Sequence, residues 1–171
     1  MSGYFCTAEG LVLSVRKGGP KCLAAPVDRV DWAGCDKRQS NLGGAHLRHA
    51  DLQGTNLSLS LLGDAQLQHA NLKGADLNGT ELEGAQLQNV ELKGADLRNA
   101  NLADAQLQDA DLAGLDLSGT ALTRANLSGA DLTGVRFLQF SLYRSVCNYK
   151  TIWPDGTSGH GAACPLKGVG R

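Results

Sequence analysis

His49 and His69 stand twenty residues apart, Asn89 and Asp109 continue that spacing, and His46 lies close by. A chain returning to the same place every twenty residues would stack the two imidazoles and bring a carboxylate into the same column. Two imidazoles and an aspartate are ligands a divalent metal accepts. The plainer reading is a polar column along a corner. Asp51, Asn71, Glu91, Asp111 and Asp131 share the spacing and would form an acidic column on another side. Paired carboxylates can do general acid–base work. Catalysis, however, asks for a concave site that excludes water, and an outward column on a convex wall offers none. The chain has no nucleophile elbow, P-loop or dinucleotide fingerprint, and neither CxxC nor a zinc-ligand spacing. No catalytic, cofactor-binding or metal residue is assigned, and the expectation is a non-enzyme without a cofactor.

The twenty-residue spacing rests on a shorter one. Leucine fills every fifth position from Leu42 to Leu132, 19 consecutive sites. Two residues before each, from Ser40 to Ala130, stand 12 Ala and 5 Ser or Thr, with only Val90 and Leu115 larger. A period of five is neither the helical 3.6 nor the strand period of two; it announces a repeat architecture. Along an extended backbone, Ala75 and Leu77 point to one side while Asp76 and Asn78 point to the other. The fifth residue must then turn a corner, which favours Gly, Asn and Asp. From Gly44 to Gln139 that site holds 10 Gly and 5 Asn or Asp among 20. A long helix fails: five residues advance it by roughly 500°, so the leucines would spiral round every face.

The slower rhythm counts the sides. Ala-Gln-Leu-Gln recurs at 65–68, 85–88 and 105–108, and Gly54, Gly74, Gly94, Gly114 and Gly134 keep the same step. Twenty residues make four units and four sides. Stacked coils at ~4.8 Å would align Gln66, Gln86 and Gln106 in one amide ladder and Gln68, Gln88 and Gln108 in another.

Across about 40–146 these units resemble the pentapeptide-repeat family, whose consensus is Ala-(Asp/Asn)-Leu-x-x. The resemblance implies an all-β fold, a right-handed quadrilateral β-helix; the handedness comes from the resemblance alone. Leu47, Leu67, Leu77, Leu87, Leu97, Leu107 and Leu127 are then expected in the core. The organisation expected is an N-terminal cap with irregular first repeats over 1–39, the β-helix over 40–146, and a C-terminal cap with a Gly-rich tail over 147–171.

A solenoid needs covers at both ends. Trp32 falls on a centre site and is expected to plug the first coil. Downstream Phe137 replaces Leu and Phe140 replaces Ala, Cys147 and Ile152 keep the five-residue phase, and Trp153 precedes Pro154-Asp155-Gly156 as a lid. Leu11–Val15 reads as a strand of the N-terminal cap. All five cysteines lie outside the strict run. Cys6–Cys22 and Cys147–Cys164 are candidate disulfides, with Cys35 buried at a small-residue site; Cys22–Cys35 is the alternative pairing, and five reduced thiols in a cytosolic protein is the other reading. Met1-Ser2-Gly3-Tyr4-Phe5 lacks the layout of a signal peptide, although Met1-Ser2-Gly3 could stand where one was removed. Residues 30–36 look like the start of the repeats in exported bacterial family members. The reading leans to export (periplasm, lumen or extracellular space) over the cytoplasm.

Leu59 takes a corner site and Leu61 an outer site, so two leucines point outward on a polar wall. They mark a protein partner's contact or a place covered by the N-terminal segment. The run Phe137–Phe140 is a candidate homodimer face at the solenoid end, or the lid itself. The expected function is a non-catalytic scaffold presenting flat polar ladder faces to an unknown protein partner, with no membrane contact. The family resemblance brings a second class, DNA mimics that bind type II topoisomerases. That needs strong negative charge. The strict run has 12 acidic and 7 basic residues, a net of −5, and the whole chain only −1. Direct nucleic-acid binding lacks a basic stripe.

Overall fold

The computed structural model describes Tyr4–Cys6, Val12–Ser14, residues 19–136 and 142–158, and Cys164. From Asp31 onward the chain winds into a four-sided solenoid. Parallel bridges join residues before a centre site to those twenty positions later on all four walls: Asp31 to Asp51, Asp51 to Asn71, and on to Asn126 with Val146. The walls are named by their centre residues. The first starts at Trp32 and Leu52, the second at Lys37 and Leu57, the third at Leu42 and Leu62, and the fourth at Leu47 and Leu67.

Residues 51–55 show how one unit satisfies its backbone. Asp51 N–H donates to Val30 O in the coil before (2.9 Å), and Leu52 and Gly54 donate to Asn71 O and Lys73 O in the coil after (2.8 and 2.9 Å). Thr55 N–H closes the turn onto Leu52 O at 3.0 Å. The fifth donor, Gln53 N–H, goes to the Asp51 side chain at 3.2 Å. Every donor of the unit is thus paired, as a wall one strand thick requires.

The corners carry positive φ at every fifth residue from Arg29 to Gly134, as a turn with a left-handed third residue demands. Arg, Gln, His and Leu stand there as well as Gly, Asn and Asp. Gly84 shows what glycine contributes at a corner. Its φ is +69°, and the Asp64 carboxylate of the preceding coil fills the space a Cβ would take.

Inside, Leu47, Leu67, Leu77, Leu87, Leu97, Leu107 and Leu127 are all buried, at 0 or 1 % exposure. Hydroxyls in the small inward sites reach carbonyls of the coil before: Thr55 to Trp32 O (2.7 Å), Ser60 to Lys37 O (2.9 Å), Thr120 to Leu97 O (2.7 Å) and Ser145 to Leu122 O (2.7 Å). A hydroxyl therefore sits in the apolar column without an unmet bond.

At the N-terminal end Trp32 is buried in its centre slot, and its Nε1 donates to Ala24 O at 3.2 Å. Lys37, in the next centre slot, holds its ammonium 3.6 Å from the centre of the Trp32 ring, a cation–π contact. A short 3-10 turn, Pro20–Leu23, lies over this end through a disulfide from Cys22 to Cys35. The Cys6–Cys22 pairing is thereby corrected. Cys35 does fill a small-residue slot, and from there its sulfur reaches the turn thirteen residues back, so local geometry selects the shorter loop. Cys6 lies in strand β1 (Tyr4–Cys6), which pairs antiparallel with β2 (Val12–Ser14); β2 is the shorter core of the strand expected over Leu11–Val15.

The C-terminal end holds a second correction. Asp131 bridges to Ile152, twenty-one residues on, and Leu132 N–H donates to Ile152 O instead of the residue before it. One extra residue is therefore accommodated between Val146 and Ile152. Ile152 leaves the centre phase for the outer site, and Trp153 takes the buried slot. Thr151 becomes the inward small residue, with its hydroxyl on Leu127 O at 2.9 Å. Cys147 occupies a leucine slot and is joined to Cys164. Phe137, Leu138, Gln139 and Phe140 lie outside the described residues.

Candidate functional site

The residues that could do chemistry are spent on holding the coil. From Asp31 to Asp131 each Asp or Asn before a centre residue accepts a bond from the N–H two positions on. Examples are Asn56 to Ser58 N (3.0 Å), Asp76 to Asn78 N (3.0 Å) and Asp111 to Ala113 N (3.0 Å). This Asx geometry supplies the acceptor the backbone lacks. Of the acidic column on the first wall, Asp51, Asn71, Asp111 and Asp131 act as such fasteners while Glu91 pairs with Lys73, and Asn71 Nδ2 also donates to Asp51 Oδ1 in the coil before, at 3.1 Å. The sequence alone shows these groups only as an outward acidic column. The signal that identifies them is an Asx residue two positions ahead of the turn's unmatched N–H.

Several carboxyls are held below the usual carboxylate range. Arg98 does this for Asp96 through a bidentate pair, Arg124 for Asp104, and the Ser118 hydroxyl for Asp116. A general acid working near neutral pH needs the opposite shift.

His49 and His69 stack on their corner, ring centres 4.9 Å apart and planes within 4°. A metal bonded to imidazole lies in the ring plane about 2.0–2.1 Å from nitrogen. Rings stacked face over face hold their nitrogens in parallel planes, so this arrangement does not converge two imidazoles on one ion. Among the described residues, no group of three His, Cys, Asp or Glu is placed to hold a metal.

The glutamines of the fourth wall depart from the expected vertical ladders. Gln68 Nε2 donates to Gln86 Oε1, and Gln108 Nε2 to Gln106 Oε1 at 3.0 Å, so the bonds cross between the two columns. Vertical side-chain bonds occur instead at Asn71–Asp51 and at Asn101–Glu81 (2.9 Å).

Leu59 and Leu61 are 58 % and 50 % exposed; they stand at the corner leading into the third wall and on that wall. Leu59 lies across the Gly79 corner above it. Around them on the third wall and its far corner stand exposed Asp64, Glu81 and Glu83. At the other end of the same wall Tyr143 is 56 % exposed, and Val146 and Tyr149 follow at 44 % and 70 %. Sequence reasoning missed this second group, although strict in/out alternation places Tyr143 and Val146 outward.

The family profile for pentapeptide repeats, in eight copies, matches residues 29–64, 65–102 and 100–137. The chain belongs to the pentapeptide-repeat family. Among solved structures it is similar to a pentapeptide repeat protein (Rfr23) of the cyanobacterium Cyanothece 51142, with 27 % identity over 72 % of this chain and 90 % of that one, TM-score 0.47. A pentapeptide repeat protein of the Arabidopsis thaliana thylakoid lumen shares 28 % identity over 70 % and 76 % of the two chains, TM-score 0.47. The plasmid-mediated fluoroquinolone resistance protein QnrB1 shares 22 % identity over 78 % and 79 %, TM-score 0.35. No curated protein matches the chain.

Proposed function

We propose that this pentapeptide-repeat protein is a non-catalytic scaffold whose flat walls bind a protein partner, wound in the right-handed sense the family resemblance implies. The observation that carries the reading is the exposed pair Leu59 and Leu61, set among the polar outer sites of the middle coils. Burying them costs no ion pair, and apolar groups ringed by polar ones mark contact sites. The wall aspartates before the centre residues support it too, since their side chains are taken up by backbone N–H groups of their own turns. The two disulfides favour an oxidising compartment such as the periplasm, a lumen or the extracellular space. Among the described residues no helix is long and apolar enough to cross a membrane. The test is co-purification with wild type and Leu61→Arg, matched for circular dichroism. Loss of a partner retained by the wild type is expected; equal recovery of every partner would remove the reading.

A further inference from the structure

We infer that the partner of the third wall is a second copy of this chain, packed face to face and antiparallel. The inference rests on reading that wall as a contact surface, and it names the occupant.

The argument is the distribution of charge along one corner. Asp64, Gly84, Asp104, Arg124 and Arg144 form a single column on the edge between the third and fourth walls. Backbone bonds climb it coil by coil: Asp64 N–H to Glu83 O, Gly84 to Ala103 O, Asp104 to Thr123 O, Arg124 to Tyr143 O. The lower half of this wall is acidic and apolar, with Leu61, Asp64, Glu81 and Glu83. The upper half is basic and aromatic, with Arg124, Tyr143 and Arg144. The first wall shows no such separation; Asp51, Lys73, Glu91, Lys93 and Asp111 alternate in sign along it.

A two-fold axis lying in the wall at the level of Asn101 and Asp104, across the coil axis, reverses the order of coils and keeps this corner against itself. Arg144 of one copy then faces Asp64 of the other, four coils or ~19 Å away within one chain. Arg124 comes opposite Glu83, and the Tyr143 ring comes over Gly63 beside Leu61. On the axis Asp104 meets its own copy, and its ion pair with Arg124 offsets the repulsion. Near the axis small residues let the walls approach, with Ala103 and Ala121 on outer sites, and Gly63 leaves room for the Tyr143 ring. The contact is isologous, so each complementary pair occurs twice. One wall of a short rod is less than the ~800 Å² per partner of a standard interface, which places the dimer in the weak, concentration-dependent class.

The test is sedimentation velocity of the purified full chain, disulfides intact, over a concentration series at low salt. Dimer is expected to grow with concentration. Asp64→Arg and Arg144→Asp should each weaken it about tenfold, and the double exchange should restore it. Both substitutions suit the corner, because Asp104 and Arg124 hold φ of 58° and 59° in the same column. Monomer at every concentration, a dimer indifferent to both single changes, or a double exchange that fails to rescue would each overturn the inference. If the chain stays monomeric while Leu61→Arg still abolishes capture of another protein, self-pairing fails and the contact-surface reading stands. If the exchange behaves as expected while capture is unchanged, the wall serves a second copy alone.

Discussion

At the scale of single residues, two jobs are divided between inward and outward sites. Leucine fills the column, and truncating one leaves a void that stacked coils cannot close. Leu87→Ala should lower unfolding free energy by ~2–5 kcal/mol, measured by urea denaturation. The Asp or Asn before it fastens the one N–H the ladder leaves over. Asn56 accepts from both Ser58 N and Ser58 Oγ, at 3.0 and 2.7 Å. Asn56→Ala should cost about 1 kcal/mol, while Asn56→Asp, which keeps the acceptor, should unfold close to wild type. Equal losses for both would mean that the side chain matters for something other than accepting that bond. The leucine column was legible in the sequence because a five-residue period has no competing explanation. The role of Asn56 was not, because an outward Asx residue looks the same whether it meets water or its own backbone.

At the scale of elements, the ends decide how the column is closed. Cys35 and Cys147 sit in slots that take alanine and leucine elsewhere, so the thiols would still fit if the bonds were broken. Removing the Cys22–Cys35 bond with a Cys22→Ser change should lower stability by ~3 kcal/mol while leaving the β signal in circular dichroism. A loss of that signal would show that the cap nucleates the coil and does not merely cover it. Here the sequence was least informative. Five cysteines allow several pairings, and the Cys6–Cys22 spacing is close to that of the Cys147–Cys164 disulfide that does form. Nothing in the spacing shows that the sulfur of Cys35 faces the Pro20–Leu23 turn. At the other end Ile152 keeps the five-residue phase in sequence, yet the chain absorbs one extra residue so that Trp153, the larger ring, fills the last slot and Thr151 can reach Leu127 O. A phase counted along the sequence cannot see an insertion that packing prefers.

At the scale of the whole molecule, charge and winding govern behaviour. Asp96 and Asp104 titrate below the usual carboxylate range because of their arginine partners. Depressed values mean that these groups contribute fully above the unfolded-state carboxylate pKa, and that the contribution is lost as pH falls through the folded values. Urea midpoints should therefore hold steady around neutral pH and fall only in acid, with Asp96→Asn showing less of that fall. The repeats carry a net of −5, from 12 acidic and 7 basic residues between 40 and 146, which is weak for imitating a nucleic acid, so the chain should leave gyrase supercoiling unaffected at micromolar concentration. All of this depends on the chain returning to register every twenty residues. Methyl-to-methyl nuclear Overhauser contacts in leucine-labelled protein measure that directly. The account predicts that Leu77 touches both Leu57 and Leu97; a pattern of helical contacts to residues three and four away, with none at twenty, would contradict it.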